Sequence, residues 1–319
     1  MIAGHDPVKR RSACVLACAP TLMVSIERTP EGDAGDVHLH PGGQGFWVAR
    51  MAARLGAAVT LVGPFGGESG IALRALIEAE GIRVSAVPTR AANRVWISRG
   101  KEGERASVGE SPATSLTRHE VDGLFNAMLA AGLESAVSVL TGDPEGALAA
   151  GRYTDLAQNL MALGGTVVAD LSGDQLLAAV DGGLHVLKVA HDDLVRDGLA
   201  SDDSWDELAR AAGRLRERGA RAVIVSRAEE PLLGELGGRI VAVGTPAFRP
   251  VNFRGAGDSA TGALAAALAE GREVSDALTW AVAAGALNVT RHGLGSGESA
   301  AILSLADRIE VTEVQRREA

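Results

Sequence analysis

Residues 46–81 read FWVARMAARLGAAVTLVGPFGGESGIALRALIEAEG, in which an apolar run separates two segments of helical periodicity. The apolar run AVTLVG covers 58–63, and the helical segments cover 46–55 and 71–80. A glycine follows the last periodic residue of each helical segment, as is common where a helix ends in the left-handed conformation. The stretch therefore predicts a helix, a buried strand and a second helix.

The same alternation continues along the rest of the chain. A third helical segment covers 205–218 and is again followed by a glycine. Further apolar runs with strand character lie at 14–18, 136–142, 166–173, 185–190 and 222–227. Continuous apolar runs are typical of parallel strands that are buried on both faces. The predicted fold class is therefore α/β, with a doubly wound and mainly parallel sheet flanked by helices.

Two stretches depart from this alternation. Residues 21–40 end in the alternating sequence DVHLH, and residues 84–110 contain VSAVP and NRVWISRGKEGERASV around a glycine-rich turn. Both patterns are typical of antiparallel strands with one face in solvent. We expect these strands to form a small β lid beside the main sheet. The predicted division is a core of residues 1–20, 41–86 and 111–319 and a β lid of residues 21–40 and 87–110.

Composition and charge exclude several classes of protein. The 319 residues include 31 basic and 40 acidic side chains, which gives a net charge of −9. An acidic chain without a basic run is a poor ligand for nucleic acid. No apolar run reaches the ~18 residues that a membrane helix needs. We therefore expect a cytoplasmic protein whose partner is a small molecule, with no nucleic acid and no membrane.

The segment RGAGDS at 254–259 carries the strongest chemical signal, because the strong helix pattern ATGALAAALAEG follows it directly. A helix N-terminus exposes unpaired N–H groups and partial positive charge. Small residues let a phosphate approach these groups closely. Gly255, Ala256 and Gly257 are therefore candidates for an anion hole. Asp258 is a candidate catalytic base for an attacking hydroxyl, with a simple helix N-cap as the alternative.

Two segments together resemble the signatures of a known family. RGAGDS is similar to the C-terminal signature of PfkB/ribokinase-like carbohydrate kinases, and PGGQGFWVA at 41–49 is similar to the N-terminal one. Two separated motifs in the right order are far more specific than either alone. The chain most resembles the 1-phosphofructokinase branch, because GGxGxxVAxxxAxLG and the VVADLSG strand recur there. The resemblance implies a ribokinase-like sheet with a small β lid.

The resemblance also implies an activity. It implies an ATP- and Mg²⁺-dependent kinase that transfers the γ-phosphoryl group to a hydroxyl of a sugar or sugar phosphate, with Asp258 as the base. The implied substrate-binding residues are Gly42, Gly43, Gln44, Trp47 and Arg94. Arg94 and Arg105 of the lid are candidates for contact with an acceptor phosphate, and exposed lid arginines are the alternative. A homodimer through the lid is a further expectation, because the edge of an exposed strand is able to pair.

The resemblance assigns the nucleotide side to four further residues: Lys188, Asp193, Ser226 and Asn288. Lys188 corresponds to a lysine near the nucleotide phosphates, with a solvent-facing lysine at a strand end as the alternative. Asp193 supplies a carboxylate for a Mg²⁺-bound water. Asn288 corresponds to a position near the adenine, with an interhelical or capping amide as the alternative.

Several positions depart from the family pattern. Gln44 replaces the usual lysine, Trp47 replaces an asparagine, and Met23 lies where an aspartate is expected. On the nucleotide side, Ala228 and Pro231 stand where glycines are usual. These changes leave two alternatives open: a catalytically silent sensor of a sugar or nucleotide, and a nucleoside kinase in which Trp47 stacks on a base. The chain has no GxxxxGK[ST] motif, which excludes a P-loop kinase.

Overall fold

The computed structural model describes residues 11–28, 35–99, 106–112, 115–142, 146–291 and 295–314. Over these residues the chain forms two β-sheets and ten helices. The strands are β1 (Ser12–Leu16), β2 (Thr21–Arg28), β3 (Gly35–Gly42), β4 (Ala58–Phe65), β5 (Arg83–Pro88), β6 (Val95–Arg99), β7 (Ala106–Glu110), β8 (Val137–Thr141), β9 (Thr166–Asp170), β10 (Leu184–Ala190), β11 (Ala220–Ser226), β12 (Leu232–Leu236), β13 (Arg239–Val243) and β14 (Val311–Val314). The helices are α1 (Gln44–Arg54), α2 (Gly67–Ala79), α3 (Arg118–Glu134), α4 (Ala150–Ala162), α5 (Gly173–Gly182), α6 (His191–Arg196), α7 (Trp205–Arg218), α8 (Ala256–Ala269), α9 (Val274–Asn288) and α10 (Ser299–Ala306).

The main sheet has the strand order β14-β13-β12-β11-β10-β9-β8-β1-β4-β5. The seven strands from β11 to β5 in this order pair in parallel, and β12, β13 and β14 extend one edge in antiparallel pairs. Parallel neighbours bring the carboxyl ends of their strands to the same edge of a sheet, which is where ligands of open α/β folds bind. The predicted α/β class with a mainly parallel sheet is confirmed.

Helices cover both faces of the main sheet. One core cluster contains apolar residues of α1, α2, α8, α9 and α10, and the other contains apolar residues of α3, α4, α5, α6 and α7. The strands between them are buried on both sides, as their continuous apolar runs predicted. None of these helices is long and apolar enough to cross a lipid bilayer, among the residues that the structure describes.

Glycines end the helices where the sequence predicted. Gly56, Gly81 and Gly271 follow α1, α2 and α8 with φ angles of 92°, 79° and 85°. These values lie in the left-handed region, which costs glycine little because it has no Cβ. Helix α7 has the predicted bounds, Trp205–Arg218. The strand predictions need one correction: β1 ends at Leu16, so Cys18 lies beyond the strand rather than within it.

The second sheet has four strands in the order β3-β2-β6-β7. Strands β2 and β3 pair in antiparallel orientation, and so do β6 and β7, as predicted. The two pairs join through β2 and β6, which are parallel. The prediction that VSAVP at 84–88 is an antiparallel strand of the lid is wrong, because β5 pairs in parallel with β4 in the main sheet. The lid boundary also differs at β3, which continues to Gly42. Whether core and lid are separate domains stays a prediction.

Close packing of α1 on α8 positions the N-terminus of α8. A Cβ atom at Gly262 would lie 2.5 Å from the Val48 carbonyl oxygen and 2.8 Å from the Met51 Cβ. Separations this short are far inside van der Waals contact, so only glycine fits between the two helices. Alanines fill most of the remaining buried face of α8, which keeps the helices close and favours helix formation.

We expect Gly262→Ala to lower the free energy of unfolding by about 2 kcal/mol, because overpacking outweighs the gain in helix propensity. Gly151→Ala in α4 is the matched control, since its Cβ would meet nothing within 4 Å. That control is expected to gain about 0.5 kcal/mol. Urea unfolding followed by circular dichroism measures both, and equal effects of the two substitutions would contradict the packing argument.

Candidate active site

Helix α8 begins at a left-handed glycine. Gly255 is the N-cap residue with φ 74°, and Ala256, Gly257 and Asp258 form the first turn of the helix. The Ala256 N–H donates to the Phe253 carbonyl at 3.4 Å, while those of Gly257 and Asp258 have no acceptor among the described residues. The interpretation of Asp258 as the N-cap is wrong, because Asp258 is the third helical residue. The turn presents free N–H groups beside a carboxylate.

A buried ion pair lies beneath this turn. The Lys188 Nζ atom, at the end of β10, lies 3.1 and 3.2 Å from the two carboxylate oxygens of Asp170, at the end of β9. Both side chains are 8% exposed. The Thr261 hydroxyl of α8 donates to Asp170 Oδ2 at 2.6 Å and lies 3.0 Å from the Gly257 carbonyl oxygen. Lys188 is therefore not a solvent-facing lysine, which removes the alternative left open by the sequence.

Gly257 allows Lys188 to approach the turn. A Cβ atom at this position would lie 2.7 Å from the Lys188 Nζ atom. The absent side chain leaves the ammonium group close to the first turn of α8. A cation and the free N–H groups of the turn therefore face the same region, which suits a negatively charged ligand.

The carboxyl group of Asp258 is perturbed by this environment. Burial raises its pKa, and the negative charge of Asp170 raises it further, while the positive charge of Lys188 lowers it; the resulting pKa is about 7. Desolvation penalises the charged form of an acid, and a nearby like charge does the same. A carboxyl group whose pKa lies near neutral pH is suited to proton transfer.

Two cavities lie near the carboxyl ends of the strands; Asp170 lines one of them, whereas Asp258, Lys188 and Gly257 are not among the lining residues of either. The first, which we call the lid cavity, has a volume of about 200 Å³ and lies between the end of β1, the start of α1 and the small sheet. It is lined by Ala17, Cys18, Ala19, Pro20, Thr21, Gly43, Gln44, Gly45, Phe46, Arg94, Thr141 and Gly142. The second, the strand-end cavity, has a volume of about 500 Å³. It is lined by Gln44, Gly142, Gly146, Asp170, Leu171, Ser172, Asp174, Gln175 and Asp193.

Gln44 lies between the two cavities and lines both. Its Oε1 atom accepts a hydrogen bond from the Gly142 N–H at 2.8 Å, and its Nε2 atom donates to the Asp170 carbonyl oxygen at 3.2 Å. The amide therefore joins the start of α1 to the ends of β8 and β9. Only a side chain with both a donor and an acceptor makes this bridge, so Gln44 has a structural role besides its predicted contact with substrate.

The other predicted substrate-binding residues divide into two groups. Gly43 and Arg94 line the lid cavity. Gly42 is buried beside Met23, and Trp47 packs partly buried against the core near Gly295. Neither Gly42 nor Trp47 is among the lining residues of either cavity. The contact between Trp47 and a nucleobase, which motivated the nucleoside kinase alternative, has no support in this arrangement. Arg105 lies outside the described residues.

The predicted nucleotide-side residues also divide. Asp193 lines the strand-end cavity and pairs with Arg196 at 2.5 Å. Ser226 ends β11, where its hydroxyl lies 3.5 Å from the Val189 carbonyl oxygen, and it lines neither cavity. Ser226 and Lys188 share one feature: both lie near the carboxyl ends of neighbouring parallel strands, β11 and β10.

Asn288 is fully buried and holds the glycine turn in place. Its Nδ2 atom donates to the Arg254 carbonyl oxygen at 2.8 Å, and its Oδ1 atom accepts from the Ser259 hydroxyl and the Gly295 N–H, both at 3.0 Å. These contacts use the amide inside the protein and favour the interhelical alternative. Asn288 therefore supports the start of α8 from behind.

Sequence reasoning missed Asp170 and Thr261, the partners of Lys188 and of the glycine turn. A signal existed for Asp170, because a carboxylate at the end of the apolar strand VVAD needs a buried partner. No local pattern identifies Thr261. Position 228, where a glycine is usual in the family, adopts the left-handed conformation in spite of its side chain, since Ala228 has φ 51°. The backbone there keeps a conformation that glycine adopts at lower cost.

A family model, curated relatives and solved structures all relate this chain to carbohydrate kinases. The family model described as pfkB family carbohydrate kinase matches residues 17–301. The ATP-dependent 6-phosphofructokinase isozyme 2 of Escherichia coli is 28% identical over 79% of this chain and 82% of its own length. The 1-phosphofructokinase of Vibrio cholerae is 23% identical over 87% and 88%. A crystal structure of phosphofructokinase-2 from Escherichia coli superposes with a TM-score of 0.83 at 26% identity, covering 94% of this chain and 99% of that one.

The chain belongs to the pfkB family of carbohydrate kinases. The predicted ribokinase-like fold and the predicted enzyme class, a phosphotransferase with an alcohol group as acceptor, are confirmed. Kinases of this family use ATP as phosphoryl donor. The expected resemblance to phosphofructokinases is also confirmed, with relatives of both the 1-phosphofructokinase and the 6-phosphofructokinase kind.

The raised pKa of Asp258 predicts a dependence of stability on pH. The folded-state pKa of about 7 lies above the reference value of 3.8, so Asp258 contributes stability that is fully present below pH 3.8 and is lost as the pH rises through 7. We expect Asp258→Asn to raise the free energy of unfolding at pH 8 by about 2 kcal/mol, and the gain to shrink by a similar amount at pH 5.

Asp276→Asn is the matched control, because Asp276 is the third residue of α9 and is exposed. It is expected to lose a few tenths of a kcal/mol through the helix dipole at either pH. Thermal or urea unfolding at pH 5 and pH 8 measures both variants. A gain for Asp258→Asn that is the same at both pH values would contradict the assignment of a buried, titrating carboxyl group.

Proposed function

We propose that this protein transfers the γ-phosphoryl group of ATP to a hydroxyl group of a sugar phosphate. One observation carries the proposal: a carboxyl group with a pKa of about 7 stands in the first turn of α8, beside free N–H groups and the Lys188 ammonium. The family membership and the phosphofructokinase relatives support the same reaction.

Each group has a chemical role in the proposed reaction. Asp258 accepts the proton of the acceptor hydroxyl, whose oxygen forms a bond to the γ-phosphorus. The bond from phosphorus to the β–γ bridging oxygen breaks, and its electron pair leaves with ADP. The N–H groups of Gly257 and Asp258 and the Lys188 ammonium stabilise the negative charge on the transferring group.

Mg²⁺ fits the residues on the nucleotide side. Asp170 and Asp193 are among the residues that line the strand-end cavity, and Mg²⁺ prefers oxygen ligands. The Asp170 carboxylate is already held by Lys188 and Thr261. The described residues contain no group of three acidic, histidine or cysteine side chains that would hold a metal ion without help. We therefore infer that Asp193 would hold the ion through water and that nucleotide phosphates would supply the other ligands. A bound Mg²⁺ offsets phosphate charge.

The lid cavity suits the acceptor. It adjoins Gln44, which separates it from the strand-end cavity and lines both. Among the described residues that line this cavity, Arg94 is the one with a charged side chain. A guanidinium group binds phosphate through two parallel hydrogen bonds, which favours a phosphorylated acceptor over a neutral sugar.

An assay of ADP release with hexoses, hexose phosphates and nucleosides tests the proposal. We expect turnover with a hexose phosphate and a loss of about 10³-fold in kcat for Asp258→Asn, because loss of a general base typically costs 10²- to 10⁴-fold. Wild-type kcat/KM is expected to fall as the pH is lowered through about 7, since Asp258 must be ionised to accept a proton.

Asp276→Asn serves as the control in this assay as well, and is expected to keep wild-type turnover. Equal turnover of wild type and Asp258→Asn on every acceptor would contradict the role of Asp258. Binding of ATP and a sugar phosphate without ADP release from any acceptor would favour the alternative of a catalytically silent sensor.

We further propose that the small sheet forms the contact of a homodimer. Val37 and Leu39 of β3 are 61% and 49% exposed and lie on one face of the sheet, with Ile26 and Val24 of β2 opposite them. A second copy offers the same apolar face, so a twofold contact would bury both. A tetrameric form of phosphofructokinase-2 from Escherichia coli is in keeping with self-association in this family.

Light scattering after size-exclusion chromatography tests the dimer. We expect a dimer for the wild type and a monomer for Leu39→Glu, because the substitution would bury an unpaired charge in the contact. His38→Glu is the matched control, since His38 is exposed on the opposite face of the same strand, and it is expected to remain dimeric. A wild-type monomer at micromolar concentration would exclude this contact.

A further inference from the structure

An ion pair stands at the lid cavity. The Nη2 atom of Arg94, which lines the cavity, lies 2.5 Å from the Oε2 atom of Glu110 on β7. The Arg94 side chain is 31% exposed and that of Glu110 is 53% exposed. Glu110 is opposite Trp96 in the β6–β7 pairing, two residues from Arg94, so the two charged side chains share one face of the small sheet.

The backbone on both sides of this ion pair is held firmly. The Asn93 side chain is buried, donates to the carbonyl oxygens of Pro20 and Pro64 at 3.1 and 2.9 Å, and accepts from the Gly66 N–H at 2.9 Å. The Arg94 carbonyl accepts from the Leu22 N–H at 2.8 Å. These bonds fix Arg94 where the chain enters the lid.

The strand that carries Glu110 is anchored in the same way. The Val95 N–H donates to the Ser111 hydroxyl at 2.8 Å, and the Ser111 N–H donates to the Val95 carbonyl at 2.9 Å. With both backbones held, rotation of the Glu110 and Arg94 side chains separates the guanidinium group from the carboxylate without movement of either strand.

A carboxylate and a phosphate bind a guanidinium group through the same geometry. Among the lining residues that the structure describes, Arg94 alone carries a formal charge. Ion pairs at the protein surface are weak, typically 0–1 kcal/mol, so a dianionic phosphate is able to displace the monoanionic carboxylate. A neutral sugar has no charge with which to do so.

We propose that Glu110 is an internal competitor for Arg94, which an anionic group of the acceptor must displace, and that Glu110 thereby weakens the binding of phosphorylated acceptors without changing that of neutral ones. This inference rests on the proposed function of the lid cavity as the acceptor site. Glu110 acts through Arg94 and is a specificity-determining residue with no part in the phosphoryl transfer itself.

Calorimetric titration with fructose 1-phosphate, fructose 6-phosphate and fructose tests the inference, because binding is measured without turnover. We expect Glu110→Gln to lower the dissociation constant of the bound sugar phosphate about three- to tenfold, in keeping with the strength of a surface ion pair and relief of charge repulsion. The affinity for fructose is expected to stay unchanged. The gain is expected to shrink at high salt, where charges are screened.

Glu78→Gln is the matched control, because Glu78 forms an exposed ion pair with Arg74 at 2.8 Å in α2, and it is expected to bind as the wild type does. The gain from Glu110→Gln is expected to vanish in an Arg94→Gln background. Any of four results would overturn the inference. Two concern Glu110→Gln alone: an affinity for the sugar phosphate within twofold of wild type, or an equal gain in affinity for fructose. The others are the same gain in affinity in the Arg94→Gln background, and no binding of either sugar phosphate by any variant. The binding gain without phosphoryl transfer would instead contradict the proposed function alone.

Discussion

The buried ion pair between Lys188 and Asp170 is the interaction on which the candidate active site depends. A buried pair is tolerated only where further hydrogen bonds satisfy its members, and two helices, α8 and α1, supply contacts to Asp170. Thr261 of α8 donates to the Asp170 carboxylate, and Gln44 of α1 donates to the Asp170 carbonyl. The missing side chain of Gly257 leaves room for the ammonium group. The ion pair therefore ties the main sheet to the two helices that form the site.

Burial is the main reason why the charged form of Asp258 is unfavourable. Burial raises its pKa most, the negative charge of Asp170 raises it further, and the charge of Lys188 lowers it only in part. A protein selected for stability alone would place a neutral residue there. Retention of a carboxyl group at such a position is typical of functional sites, where local stability is lost in favour of reactivity.

The core and the lid contribute different properties to the site. The residues proposed for proton transfer and phosphate binding lie at the ends of buried strands and at the start of α8, where packing fixes them. Arg94, which we propose as the charged group for acceptor recognition, lies where the chain enters the small sheet, next to the buried Asn93. Exposed strands tolerate substitution better than a buried network does. Substitutions in the lid are therefore able to change the preferred acceptor without disturbing the buried groups at the start of α8.

Local patterns in the sequence were sufficient for the parallel strands β4, β8, β9, β10 and β11, for the glycines after α1, α2 and α7, and for the glycine turn at 255–257 with Asp258, because each depends on neighbouring residues. They did not identify β12, β13 and β14 or the place of β5 in the main sheet. Tertiary structure alone established the partners of these groups. Thr261 and Asp170 are 91 residues apart in the chain, and no periodicity relates them. Tertiary structure likewise turned Asn288 inward and kept Trp47 out of the cavities, although motif resemblance had assigned both to ligands. The physical reason is that backbone preferences act over a few residues, whereas side-chain contacts and burial depend on how distant elements pack.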